Sequence, residues 1–146
     1  MYKIAVSIIV IATLLIIGEF VSHNKAPTVI MNEKDTIKKD FNENEVYFTL
    51  VKEYCLAYPD IASKGITGAN SNDPEVDKAL KVIFEELDYR LIQLGNGTKE
   101  ERSYIKFKKN TASDQEEYSL LYSSGILGEN CEEITSNWYV QWGFLT

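Results

Sequence analysis

Residues 4–17, IAVSIIVIATLLII, carry no charge and are interrupted only by Ser7 and Thr13. A run this apolar has no place on the surface of a small water-soluble domain, so it constrains the organisation of everything after it. Residues 2–18 make 17 positions, about 25 Å as a helix at about 1.5 Å per residue, slightly short of a hydrocarbon core. Phe20 and Val21 complete the span if Glu19 reaches toward the headgroups or the bilayer thins. The length lies between a membrane anchor and the apolar core of a signal peptide.

Cleavage separates those two, and a secretory site needs small residues three and one before the cut. Gly18-Glu19-Phe20 and Val21-Ser22-His23 both fail at the last position, and Asn24-Lys25-Ala26 is followed by Pro27. Neither cysteine lies just after the apolar run, as a lipid-modified cysteine would. The expectation is therefore an uncleaved single-pass anchor over residues 1–21, with secretion after cleavage as the alternative. Lys3 before the run and Glu19 after it place the N-terminus in the cytoplasm and the remainder outside.

The formal charge of −7 falls entirely after Glu19, because Lys3 and Glu19 cancel. An acidic domain repels nucleic acid, and the densest basic cluster is Lys106, Lys108 and Lys109, read as a solvated strand face. With 45% hydrophobic and 12% aromatic residues the chain has the material for a packed core, so general disorder is not expected. Cys55 and Cys131 are 76 positions apart, and the single histidine, His23, adjoins the apolar run. No zinc motif follows from that set. Outside the cytosol Cys55 and Cys131 are a candidate disulfide contributing about 4 kcal/mol; otherwise they are two small buried side chains.

Residues 22–43 mix charges with few apolar positions and read as a polar stalk, with a root-mean-square reach of about 25 Å as a flexible chain. An extracytoplasmic domain is expected over residues 44–146. Val46, Leu50, Tyr54, Ala57 and Ile61 recur at steps of three and four, with Tyr47, Val51 and Tyr58 beside them, and predict an amphipathic helix over 45–61. Asp73 suits an N-cap and Pro74 the first helical position. Val76, Leu80, Ile83, Phe84, Leu87, Leu91 and Leu94 then continue at helical spacing until Gly95-Asn96-Gly97. Beyond Glu101 the period becomes two: strands are predicted around 104–108, 118–123 and 138–144, with an optional one at 131–135. The fold class expected is α+β, an N-terminal membrane helix and stalk followed by two amphipathic helices packed on a three- to four-stranded antiparallel meander.

Ser–His and Cys–His catalysis lack a histidine in the domain. Gly65-Ile66-Thr67-Gly68 has neither the lysine nor the strand–turn–helix setting of a phosphate loop. The acidic groups Asp114-Gln115-Glu116-Glu117 and Glu129, Glu132, Glu133 lack the spacing of a calcium loop. No metal, cofactor or catalytic residue is assigned. Phe48-Thr49-Leu50 faintly resembles the start of a pilin processing motif, but the apolar run lies before it, and the match is taken as chance. Asn96-Gly97-Thr98 is a glycosylation sequon only in a eukaryotic lumenal setting. On the last strand Trp138, Val140, Trp142 and Phe144 share one face and Tyr139 and Gln141 the other. The first set suits the core, whereas Tyr139 with Tyr104, Tyr118 and Tyr122 could form an aromatic surface for a protein or glycan partner. The function expected is a non-catalytic, membrane-anchored extracytoplasmic accessory or binding protein that engages another protein or an envelope component, an inhibitor or immunity-type protein engaging a cationic partner being one concrete version. A carboxylate-based envelope enzyme such as a glycan hydrolase, or a small-ligand-binding domain, is the alternative.

Overall fold

Asn32 accepts a hydrogen bond from the Asp35 amide at 2.9 Å and thereby caps α1 (Glu33–Ala57), whose first turn carries Glu33 and Asp35 where acidic charge suits the helix dipole. The chain is seen here in a computed structural model that describes residues 31–96, 103–112, 115–125 and 128–144. Residues 1–21, assigned above to the membrane, lie outside them, as do Gly97 and Thr98 of the sequon. Among the described residues no helix is long and apolar enough to cross a membrane.

Residues 33–43 therefore differ from the polar stalk expected of them. Ile37 and Phe41 are fully buried, and two apolar side chains four apart in a charged stretch suffice to dock a helical turn. That docking also rotates α1 relative to the expected stripe. Its buried side is Ile37, Phe41, Phe48, Val51 and Cys55, while Val46 is 77% exposed. The face shifts because Asn44 leaves helical geometry at φ −133°; its side-chain amide donates to the Asp40 carbonyl at 3.0 Å, which bridges the kink.

α2 (Pro59–Lys64) ends at Gly65, whose φ of +92° few other residues tolerate. α3 (Pro74–Lys81) opens as expected, with Asp73 accepting from the amides of Glu75 and Val76 at 2.9 and 3.2 Å. It does not continue to residue 94. A π-helical turn (Val82–Glu86) follows, Asp88 takes a left-handed φ of 57°, and the chain leaves as β1 (Tyr89–Gly95). Asp88 is held there by Asn110, which donates from its backbone to the Asp88 carbonyl and from its side chain to the carboxylate, at 2.9 and 2.6 Å.

β2 (Tyr104–Lys109), β3 (Glu116–Ser123), β4 (Cys131–Thr135) and β5 (Trp138–Phe144) complete the sheet. The fold is α+β, with a five-stranded antiparallel sheet in the order β1-β2-β3-β5-β4. The meander stops at β3. β4 passes to the edge and β5 returns between them.

One face of the sheet packs on α1. Phe48 lies at the centre of an aromatic cluster, with ring centroids 5.3 Å from Phe107, 5.6 Å from Tyr89, 6.0 Å from Phe41 and 6.5 Å from Trp138. Ile92, Ile105, Leu120 and Val140 fill the space around it at 0% exposure. Trp138, Val140 and Trp142 face this core, as their alternation predicts, and Trp142 at its rim lies under the Lys34 ammonium, 3.7 Å from the ring centroid.

The lysine run divides differently from a solvated strand face. Strand parity puts Lys109 on the side of Ile105 and Phe107, and Lys109 is only 7% exposed. There its ammonium donates to Asp40 Oδ2 at 2.7 Å and also to the Leu87 carbonyl, while lying 4.7 Å from the Tyr89 ring centroid. The Tyr89 hydroxyl is buried beside them and meets no described residue in good hydrogen-bond geometry; burial and the nearby Asp40 carboxylate push its pKa well up.

Candidate binding groove

The four tyrosines proposed from sequence as one surface lie on two sides of the sheet. Tyr118 and Tyr122 face the helices. The Tyr118 hydroxyl donates to Glu116 Oε2 at 2.8 Å, and that bond raises its pKa. Tyr122 meets Trp138 edge-on at 5.2 Å, with the Lys52 ammonium 4.9 Å from its centroid. Tyr104 and Tyr139 point to the other face. Tyr104 lies over its β1 partner Gly95 so closely that a Cβ there would sit 2.2 Å from the ring, and Tyr139 is flanked by Leu121 and Glu133.

That outer face also holds Lys106 and Lys108, which with Arg90 surround Glu117 at 3.9, 3.1 and 3.0 Å. Burial lowers the Lys106 pKa against the pull of Glu117. One carboxylate already occupying the centre of three cations leaves little field for an external polyanion.

The two cysteines are free. Cys55 projects from α1 into the core, and Cys131 lies opposite Gln141 on the outer face. Burial pushes the Cys55 thiol up to about 12. With the folded pKa raised above the ordinary value of 9.0, stability linked to this thiol is intact below that value and is lost as pH rises toward about 12. At neutral pH an aromatic disulfide reagent is expected to titrate one thiol, Cys131, in the native protein and the second only after unfolding. Two fast thiols, or none after unfolding without reductant, would contradict this arrangement.

A groove runs between α1 and the segment that leads into α3. α1 supplies Asn44, Tyr47 and Tyr54; the opposite wall is Asn72, Pro74, Asp77, Lys78, Lys81 and Glu86. It consists of two hollows of about 840 and 310 Å³ that adjoin at Asn72, which lines both. The smaller is floored by Ile66 and Leu80. Tyr58 packs tilted against Tyr54 with ring centroids 4.9 Å apart, and Tyr58 and Ile61 remain about half exposed at that end, at 53% and 48%.

The wall facing α1 is fixed by Asp77. It accepts from both the backbone amide and the hydroxyl of Ser71 at 2.7 Å, which ties the loop to α3 and holds the Asp77 carboxyl below its usual range. Tyr54 responds in the opposite sense. Burial raises its pKa first, and Tyr58, Cys55, Asp77 and Asp73 add to the rise, so the hydroxyl stays protonated as a hydrogen-bond donor.

No protein family, curated protein or solved structure matches the chain. The groove's chemistry must therefore be judged from its own geometry. Asp77 and Glu86 both line it, but they are nine positions apart on one helical run, an axial rise of about 13 Å. Paired carboxylates of glycoside hydrolases stand about 5–9.5 Å apart, with one raised in pKa to serve as the acid. Asp77 is shifted the other way. Among the described residues no group of three or more His, Cys, Asp or Glu side chains is placed to hold a metal ion.

The groove was not assigned from sequence. Tyr47 and Tyr54 are seven apart, which places them on one side of a helix, and that was the available signal. The opposite wall depends on a loop whose path no local pattern specifies.

Proposed function

We propose that this chain is a non-catalytic, membrane-tethered binding protein whose extracytoplasmic domain holds a segment of a partner protein in the α1–α3 groove. The observation that carries this reading is the pair of adjoining, solvent-open hollows lined by Tyr47 and Tyr54, with Tyr58 packed beside Tyr54. Tyrosine offers a large contact area at little conformational cost and is common among residues that dominate protein interfaces. The half-exposed Tyr58 and Ile61 extend the same surface. The aromatic cluster packed between α1 and the sheet makes that interior a poor site for a small ligand, and the open groove better suits a protein segment. The tether rests on the apolar run at residues 4–17.

A photo-crosslinking residue placed at position 54 in cells of the source organism is expected to give a discrete heavier adduct, and one at Asn42, exposed on α1 away from the groove, none. Tyr54→Ala is then expected to weaken the isolated complex about tenfold or more. Equal adducts from both positions, or undiminished affinity, would count against the groove.

A further inference from the structure

We infer that β4 is a second, independent docking element, whose free edge accepts an extended lysine- or arginine-bearing segment of a partner protein as a sixth strand. The sheet order leaves β1 and β4 at its edges. The β1 edge is closed: Ile66 and Ile92 exchange both backbone hydrogen bonds, at 2.8 and 2.9 Å, and Gln93 donates to the Ser63 carbonyl at 3.3 Å. β4 pairs with β5 alone among the described strands. In an antiparallel ladder alternate residues direct their N–H and C=O groups away from the neighbour, so β4 presents outward backbone groups that no described strand pairs.

Its side chains select what can bind there. Glu132, Glu133 and Thr135 are exposed. Glu132 is bonded to Lys38 at 2.5 Å, while Glu133 forms no ion pair among the described residues. A second copy of β4 brought edge to edge would set Glu132 and Glu133 against their own equivalents, and like charges across a strand pair are destabilising. The same charges favour a cationic strand, and the net charge of −7 attracts one from a distance. The register shift between Glu133 and Thr135 limits regular pairing to a short segment, so the added strand spans about three to five residues.

A random decapeptide library panned against the full chain in nanodiscs tests this. Enriched peptides are expected to carry lysine or arginine at alternate positions between β-branched residues. The best peptide should lose at least tenfold in affinity when alternate backbone nitrogens are methylated, and at least tenfold against Glu133→Lys, whose fold is checked by circular dichroism. Tyr54→Ala should leave its binding unchanged, which separates this site from the groove. Enrichment of non-basic sequences, indifference to N-methylation, loss of binding in Tyr54→Ala alone, or self-association of the chain through β4 would each overturn the proposal.

Discussion

Phe48→Ala is expected to destabilise the domain by about 3–5 kcal/mol, read as a fall in the denaturant midpoint of the full chain at unchanged slope. Phe48 is completely buried, and its ring is the contact shared by Phe41, Tyr89, Phe107 and Trp138. Those partners come from α1, β1, β2 and β5, so no single element can close the space a truncation leaves. Phe48→Leu keeps most of the volume and should cost clearly less. A loss under 1 kcal/mol for Phe48→Ala would mean that the cluster collapses around the gap and that α1 is not fixed by it.

The second large effect concerns a pair that no local pattern announces. Lys109→Met is expected to cost about 3–5 kcal/mol, because it leaves the Asp40 carboxylate buried without its counter-ion. Combining it with Asp40→Leu should restore most of the loss, since an apolar pair of similar size replaces two charges that were costly to desolvate. Denaturant unfolding of the two single variants and the double variant measures the coupling directly. Additive losses would show that Asp40 and Lys109 act separately, in conflict with their 2.7 Å contact.

These two sites also show where sequence reasoning reaches and where it stops. Alternation along β2, β3 and β5 was legible because each strand pairs in regular register, and the Asp73 N-cap was legible because capping is decided within four residues. β1 was not, for two reasons. Its leucines continue the helical spacing of α3, and the register shift between Tyr89 and Leu91 breaks the period-two pattern that would have marked a strand. The start of α1 was missed because Ile37 and Phe41 stand alone among charges, and their value depends on partners in distant strands. Lys109 could have been placed on the inner face by parity. Its acceptor is 69 positions away, and nothing in Asp40's own neighbourhood foretells the match.

The site followed the same division. Tyr139 was rightly separated from the tryptophans by parity, but parity within one strand does not relate it to Tyr118 or Tyr122 on another. That needs the register between strands, which turns and bulges set. The groove lies further from sequence still, since one wall is a loop positioned by the Ser71–Asp77 hydrogen bonds.

The helix cap at Asn32 also bounds where the protein can act. If residues 1–21 are held in a bilayer, ten residues separate the membrane from the Asn32 cap of α1, and ten residues of chain extend no further than about 35 Å however they are arranged. A spacer of the length first read from the sequence, ending at residue 43, would have had about twice that ceiling. On the proposed tether the start of α1 would stay within about 35 Å of the bilayer, which favours partners that reach the membrane surface.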